Sequence, residues 1–318
     1  MPSYSGVWTL TAVYQAVGAG NWTNFLQGNI GLFGGGDAGA YTNVISYISI
    51  ATTGNATDFG DLTAARAYIS ACASATRGVF AGGIVVSTRS NIIDYVTIVS
   101  PGNATDFGDL TSGAQAPGGC SSSTRGLFGG GATGGFVLIN VINYITIATT
   151  GDALTFGDLT TRRVGVGACS STTRGVFASG EESGGNSNVI DYVTIATTGN
   201  ATDFGDLLSV LKAVSGCSSS TRGIFSGGSS STNVIQYITI ASTGNATDFG
   251  DLIGAIHDAA SCSNSTRGVI GGGDNDAIYI NVIQYVTIAS TGNSTDFGDL
   301  LSGTAYLAGC SNSGGGLS

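Results

Sequence analysis

One short segment returns six times along this chain of 318 residues. The motif Asp-Phe-Gly-Asp-Leu is complete in five places, and a variant at Thr155–Leu159 fills the sixth. The phenylalanines of successive copies are 48, 49, 48, 45 and 48 residues apart. A repeat of this length is typical of one blade of a β-propeller. The spacing therefore predicts six structurally equivalent units.

Each unit divides into four predicted strands, which we name A, B, C and D in chain order. In the second unit they are Ala67–Ser74, Arg77–Gly83, Asn91–Ile98 and Asn103–Gly108, rich in β-branched and aromatic residues and separated by turn residues. The units lack the apolar spacing of three and four residues that marks a helix. The sequence predicts an all-β fold, a six-bladed β-propeller of four-stranded blades over residues 28–318, after a short N-terminal leader at residues 1–27.

The two ends of the repeat region complement each other. The first predicted strand, Asn29–Gly35, is a B strand with no A strand before it, and the last, Leu307–Ser311, is an A strand with no B strand after it. We expect these N- and C-terminal strands to pair in one composite blade. Such closure leaves no open ring edge at which the sheets could fray.

The units resemble the kelch family of propellers over roughly residues 28–318. Gly82-Gly83 with Tyr95, and Gly227-Gly228 with Tyr237, carry the resemblance. The chain departs from the family pattern in strand D, where kelch repeats usually place Trp and these units place Phe. The resemblance implies a platform that mostly binds proteins or glycans, with a minority of enzymes.

The leader at residues 1–27 lies outside the repeat and contains both tryptophans. Its apolar spacing predicts a short amphipathic helix over Thr9–Val17. The leader either plugs the propeller or attaches it to a larger assembly. The residues predicted for attachment are Trp8, Leu10, Tyr14 and Trp22.

The segment Gly6–Leu10, continuing to Tyr14-Gln15-Ala16, and the repeated Gly-Asn-Ala-Thr-Asp-Phe-Gly-Asp-Leu resemble structural proteins of tailed, especially marine, bacteriophages. This resemblance implies a virion component, such as a tail fibre, a tail-tip adhesin or a capsid decoration. It also implies that the leader contacts other virion proteins and that the protein reaches the extracellular space after lysis.

Charge and hydropathy narrow the partners further. The net charge is −10 and Lys plus Arg number only 10, so a basic surface for nucleic acid is not expected. The chain has no apolar run long enough to span a bilayer, and its first residues lack the pattern of a secretory signal peptide. We expect no membrane insertion. If the protein works outside the cell, we expect it to leave by lysis or by a dedicated route.

Four repeated residue types have structural explanations. We expect the one cysteine per unit to be a small buried thiol, and the repeated Arg of the A–B turn to bind carboxylates or carbonyls of its own or a neighbouring blade. Asn-X-Ser/Thr triplets fall in the C–D turn, which favours a turn role over glycosylation. The repeated aspartates are interpreted as structural, with calcium binding as the alternative. No metal or cofactor is predicted.

The sequence offers few candidate catalytic residues. His257 is the only histidine, and no nucleophile motif accompanies it. We therefore expect a binding or structural protein, with a glycan-active enzyme as the less favoured alternative.

Comparison of the six units predicts where a ligand binds. The A–B and C–D turns barely vary, whereas the B–C and D–A connections vary strongly and should share the opposite face. We expect host-surface glycan or a partner protein to bind there, unless the variation is neutral drift. The alternative is a purely architectural subunit, in which the uniform face stacks copies of the chain as a homo-oligomer. The predicted ligand-binding residues are Arg66, Tyr68, Arg89, Phe136, Arg162, Arg163, Glu181, Glu182, Lys212, His257, Asp276, Tyr279 and Tyr306.

Overall fold

A computed structural model describes residues 29–229 and 232–313, which form six four-stranded antiparallel sheets arranged as one ring. The predicted all-β six-bladed propeller is confirmed. Within these ranges no helix is long and apolar enough to cross a membrane. The leader, its predicted helix and its attachment residues Trp8, Leu10, Tyr14 and Trp22 lie outside the described residues.

We number the blades by their B strands in chain order. From blade 1 to blade 6, the A strands are Ala308–Ser311, Ser70–Ala73, Gly118–Ser121, Gly167–Ser170, Ser215–Ser218 and Ala260–Ser263. The B strands are Ile30–Gly34, Arg77–Ala81, Arg125–Gly129, Arg174–Ala178, Arg222–Ser226 and Arg267–Gly271. The C strands are Val44–Ser49, Ile92–Thr97, Val141–Thr146, Gly185–Thr194, Val234–Thr239 and Val282–Thr287. The D strands are Thr57–Asp61, Thr105–Asp109, Leu154–Asp158, Thr202–Leu211, Thr247–Asp251 and Thr295–Asp299.

Short ribbons decorate three of the B–C connections. Ile84–Val85 pairs with Thr88–Arg89, and Ala132–Thr133 pairs with Val137–Leu138 across a 3-10 turn at Gly134–Phe136. In blade 4, Glu181–Glu182 pairs with the start of the long C strand. These ribbons are the main departures from six-fold repetition.

Blade 1 is assembled from both ends of the repeat region. Its A strand, Ala308–Ser311, pairs antiparallel with the B strand Ile30–Gly34, in a register that sets Gly34 opposite Ala308 and Gly31 opposite Ser311. The predicted composite blade is therefore confirmed. The last strand takes the place that the first strand would otherwise leave as an unpaired edge.

The repeated arginines join neighbouring blades. Arg77 lies over the ring of Tyr95 at 4.5 Å and donates a hydrogen bond of 2.9 Å to the carbonyl of Ile147 in the next blade. Tyr95 in turn meets Phe107 edge to face at 5.9 Å. The same stacking and inter-blade hydrogen bond recur at Arg125, Arg174, Arg222 and Arg267. The expected binding to carbonyls of an adjacent blade is confirmed.

All six cysteines are free and buried, as predicted. Each thiol packs against the second residue of the next blade's B strand, which is always glycine. A Cβ built on Gly175, for example, would lie 3.0 Å from the Sγ of Cys120. The thiol therefore fills the volume that the missing side chain leaves, which explains why Cys and Gly recur together.

The C–D turn of each blade covers the outer D strand of the preceding blade. The amide of Asp61 donates to the Oδ1 of Asn103 at 3.1 Å, and the amide of Ala104 donates to the carbonyl of Asp61 at 2.7 Å. Equivalent side-chain bonds join all six blade pairs, with Asp152 in place of Asn in blade 3. The Asn-X-Ser/Thr triplets thus have the turn role that was predicted, and they satisfy groups that an edge strand would otherwise leave unpaired.

The A strands meet around the axis, where space is short. Their second residue alternates strictly around the ring, in the order Gly309, Ala71, Gly119, Ala168, Gly216 and Ser261. A Cβ added to Gly119, Gly216 or Gly309 would lie 2.4 Å from the carbonyl oxygen of the preceding blade. The axis therefore admits a Cβ at this level in only every second blade.

Serine hydroxyls connect the A strands two residues further on. The hydroxyl of Ser170 donates to the carbonyl of Ser121 at 2.8 Å, and the amide of Ser121 points back at that hydroxyl at 3.4 Å. The pattern repeats at Ser121, Ser218, Ser263 and Ser311. Ala73 occupies the sixth position, at the junction between blades 1 and 2.

Ala73→Ser should therefore stabilise the propeller by about 1 kcal/mol, the usual net value of one buried hydrogen bond. The new hydroxyl would donate to the carbonyl of Ser311 in the geometry that five sister residues already use. Urea unfolding measures the gain. Ser170→Ala is the matched reverse change and should cost a similar amount. A loss of stability in Ala73→Ser would show that this junction is packed differently from the other five.

Candidate functional site at the propeller axis

Six residues just before the A strands form a closed ring of backbone hydrogen bonds around the axis. In each, the amide donates to the carbonyl of the equivalent residue in the preceding blade, over 2.7–3.2 Å. All six have a positive φ, between 49° and 72°. The members are Tyr68, Ala116, Gly165, Ala213, Asp258 and Tyr306. The ring holds six side-chain positions around a common centre.

Five members of this ring are not glycine, although a positive φ costs roughly 1 kcal/mol or more for other residues. Gly165 shows that glycine is compatible with the position. Tyr68, Asp258 and Tyr306 nevertheless carry large or ionisable side chains in the strained conformation. Strain of this kind is concentrated at functional sites, where the side chain matters more than the local conformational energy.

A cavity of about 450 Å³ lies over the ring. Its lining comes from the D–A connections, through the ring and the residues before it, and from the B–C connections, through Phe136, Glu181, Ser229 and Asp276. The predicted placement of B–C and D–A connections on one face is therefore confirmed. The cavity is thus lined by the D–A connections of all six blades and by the B–C connections of four.

Aromatic rings form one side of the cavity. Tyr68 and Tyr306 stack with ring centroids 4.1 Å apart, and Tyr279 meets Tyr306 edge to face at 6.0 Å. Burial raises the pKa of Tyr68 to about 12, so its hydroxyl is protonated at neutral pH. Phe136 also lines the cavity and is 45% exposed. This side combines apolar ring surface with hydroxyl groups.

Charged groups form the other side. The Nδ1 of His257 lies 2.7 Å from a carboxylate oxygen of Asp258, and its Nε2 lies 3.1 Å from Asp276. The hydrogen bond with Asp258 raises the pKa of His257 to about 9, so the imidazolium donates from both nitrogens at neutral pH. Lys212 pairs with Glu181 across the B–C connection of blade 4. Acids and bases in this cavity are thus mutually paired.

Seven of the thirteen predicted ligand-binding residues line this one cavity: Tyr68, Phe136, Glu181, Lys212, His257, Asp276 and Tyr306. Tyr279 supports it through Tyr306. Arg89, Arg162 and Glu182 are not part of its lining, and Arg162 is exposed on the same face. The structure thus separates the predicted residues into an axial group and a peripheral group.

Arg66 and Arg163 require a correction, because neither reaches the surface. Both are fully buried, and each pairs with a fully buried carboxylate, Asp94 at 2.5 Å and Asp191 at 2.8 Å. Arg66 also donates to the carbonyl of Ile92 at 2.7 Å. A guanidinium enclosed in this way is a structural tie within the blade. The two arginines are therefore removed from the candidate site.

Comparison of the units could have revealed this role. Arg occurs two residues before the ring member only in the two blades that have Asp directly before the tyrosine of strand C, at Asp94 and Asp191. Blade 3 has the neutral pair Ala114 and Asn143 at the same positions. Matched changes of charge between two repeat positions indicate a contact between them.

Three lining residues with polar side chains were missing from the predicted site: Gln115, Ser229 and Asp258. Asp258 and Gln115 lie in the variable D–A connections, so variability did point to them. The structure adds the positive φ of Asp258 and the burial of Gln115, which sequence variation does not reveal.

The sequence matched none of the protein-family models against which it was scanned, and a search of curated proteins returned no match. Within residues 29–229 and 232–313, no three His, Cys, Asp or Glu side chains are grouped so that they could hold a metal ion. The candidate site is therefore defined by its own geometry.

The His257 pair makes a prediction about pH. Because the pKa of His257 is raised from 6.5 to about 9 on folding, its stabilising effect is complete below pH 6.5 and disappears as the pH rises through 9. Between pH 7 and pH 10 the native protein should lose about 1–3 kcal/mol more unfolding free energy than His257→Gln. Urea unfolding of both proteins at the two pH values measures this. Equal losses would show that the pairing with Asp258 does not contribute.

Proposed function

We propose that this propeller is a recognition module that binds one neutral sugar unit of a surface glycan in its axial cavity. The observation that carries the proposal is the strained ring, in which Tyr68, Asp258 and Tyr306 keep functional side chains where glycine would fit. Strain at three positions that face one cavity favours a role in binding over neutral drift of the loops.

The chemistry of the lining favours a sugar. Ligand pockets usually measure about 300–1,000 Å³ and combine apolar surface with a few polar groups, which describes this cavity of about 450 Å³. A sugar offers an apolar C–H face to the rings of Tyr68 and Tyr306 and hydroxyls to the polar groups opposite. Tyrosine is enriched in recognition surfaces because it supplies both kinds of contact.

Charge favours a neutral sugar over an acidic one. Three carboxyl groups line the cavity, from Glu181, Asp258 and Asp276, against two cations, Lys212 and His257. Both cations are already paired with these carboxylates. A ligand carboxylate would therefore meet a site with no spare positive charge, in a protein of net charge −10.

Binding of the full chain to an array of immobilised glycans tests the proposal. Tyr68→Ala and Tyr306→Ala should each weaken binding about tenfold or more, as expected for the loss of an aromatic anchor. Arg162→Ala is the matched control, because Arg162 is exposed on the same face outside the cavity. Loss of binding in Arg162→Ala alone would move the site to the periphery, and binding to no glycan would contradict the proposed ligand class.

The wider setting that we propose is the virion of a tailed bacteriophage, where a kelch-like propeller without enzymatic activity recognises the host surface. The kelch-like and phage resemblances described above support this setting. The paired Gly82 and Gly83, both with positive φ and both packed against neighbouring backbone, support the kelch-like comparison. Mass spectrometry of purified particles tests the setting, and absence of the chain from every particle fraction would contradict it.

The second candidate is an architectural subunit without a ligand. The observation in its favour is the uniform C–D turns, which repeat the same inter-blade bonds around the ring and offer a nearly six-fold surface. In that case the full chain should form stacked oligomers in light-scattering measurements, and Tyr68→Ala should leave both assembly and particle incorporation unchanged.

A further inference from the structure

Among the described residues that line the axial cavity, Gln115 alone has a buried side-chain hydrogen-bonding atom without a partner. Its side chain is buried, at 6% exposure, and its Oε1 accepts no hydrogen bond from the described residues. Its backbone is fully used, because its amide and carbonyl exchange hydrogen bonds with Ala132 at 3.0 and 3.1 Å. The spare atom therefore belongs to the side chain alone.

A buried acceptor without a donor destabilises the fold, because it has given up its hydrogen bonds to water without replacing them. The fold does not require this cost, because the equivalent residue is Ala67 in blade 2 and Ala305 in blade 1. Val164 occupies the same position in blade 4 and also lines the cavity. An amide at this position is thus unnecessary for the propeller.

We infer that Gln115 is the residue that selects the ligand of the axial cavity, through a hydrogen bond that its Oε1 accepts from a hydroxyl or N–H group of that ligand. This inference rests on the proposed sugar-binding function and adds a specificity to it. A ligand without a donor at that point would leave the Oε1 buried and unpaired. Sites built around a buried polar group reject such analogues far more strongly than apolar sites reject a missing methyl group.

The neighbouring lining explains why a ligand has to provide this bond. Ala116 and Gly165, two consecutive ring members, present no polar side-chain atom, and Val164 is apolar. The hydroxyl of Tyr68, on the other side of Ala116 in the ring, is hydrogen-bonded to Tyr306. The two cations of the lining, Lys212 and His257, are engaged with Glu181, Asp258 and Asp276. Within the described residues, the Gln115 amide is therefore the uncommitted polar group on this side of the cavity.

The experiment compares the native chain with Gln115→Ala, using methyl glycosides of glucose, galactose and mannose and their singly deoxygenated analogues as probes. Calorimetric titration gives affinity, and thermal unfolding gives stability. We expect Gln115→Ala to bind the best glycoside about tenfold more weakly, with an unchanged or higher unfolding temperature, because Ala is native to two sister blades. One deoxy analogue should bind the native chain weakly and lose little further affinity in Gln115→Ala.

Val164→Ala is the matched control, since it enlarges the same cavity without removing a polar atom. Equal affinity of the native chain and Gln115→Ala would overturn the role of Gln115 and leave the proposed function standing. A marked fall in unfolding temperature in Gln115→Ala would also overturn it, because the amide would then be structural. If the native chain binds none of the glycosides, the proposed sugar-binding function fails and the selecting role of Gln115 fails with it.

Discussion

Asp94→Asn should lower the unfolding free energy by about 3–5 kcal/mol, the usual cost of leaving one charge of a buried ion pair uncompensated. Asp94 and Arg66 are both fully buried, and the carboxylate also accepts a hydrogen bond of 2.5 Å from the hydroxyl of Thr63. The substitution keeps the shape of the side chain and removes its charge. Urea unfolding followed by fluorescence or circular dichroism measures the loss.

Blade 3 shows which second substitution should compensate for the loss of the Asp94 charge. Blade 3 has Ala114 and Asn143 where blade 2 has Arg66 and Asp94, and Asn143 keeps the hydrogen bond from the threonine hydroxyl at 2.6 Å. The double variant R66A/D94N should therefore regain at least about 2 kcal/mol relative to D94N, since no buried charge remains. A double variant as unstable as the sum of its single changes would show that the two groups are not coupled.

Ending the chain after Tyr306 should abolish the cooperative fold. The deletion removes the A strand Ala308–Ser311, and with it the strand pairing that closes blade 1 and the buried side chains of Leu307 and Cys310. Four lost ladder pairs at about 1 kcal/mol each, and one buried leucine at about 2 kcal/mol, approach the total stability of an ordinary domain. Thermal unfolding should show no cooperative transition.

A chain ending after Ser313 is the control, because it keeps the whole closing strand and should unfold like the native protein. A synthetic peptide of residues 307–313, added to the chain that ends after Tyr306, should restore part of the transition by occupying the vacant edge of Ile30–Gly34. A cooperative native-like transition without residues 307–318 would show that five complete blades and an open sixth suffice.

The architecture could be predicted from sequence because six nearly identical units report the same structure six times. The spacing of the Asp-Phe-Gly-Asp-Leu motif predicted the blade, and the incomplete units at Asn29–Gly35 and Leu307–Ser311 predicted the closure. Even the free cysteines followed, because one residue per blade on a ring does not favour pairing. In each case the comparison of six copies supplied information that a single copy does not contain.

The candidate site was only partly predictable, because repetition says little about the positions at which the units differ. Arg66 and Tyr68 are two residues apart in the same variable connection, yet one is enclosed with Asp94 and the other lines the cavity. Whether each side chain is enclosed or lines the cavity depends on the positive φ of Tyr68 and on how deeply the neighbouring strand is buried. Neither quantity can be inferred from the local sequence. The co-occurrence of Arg66 and Asp94, in contrast, can be seen by comparing the units.

The alternation of glycine with Ala or Ser in the second position of strand A requires the ring to have an even number of blades. Only an even number of blades lets every glycine stand between two residues that carry a Cβ. With five or seven blades, two residues with a Cβ would be neighbours at one junction between blades, and one Cβ would clash with the backbone carbonyl of the preceding blade. The alternative is two neighbouring glycines, which would leave a gap at that junction. Loss or duplication of a single blade therefore disrupts the axis, whereas a pair of blades can be added or removed as one evolutionary unit.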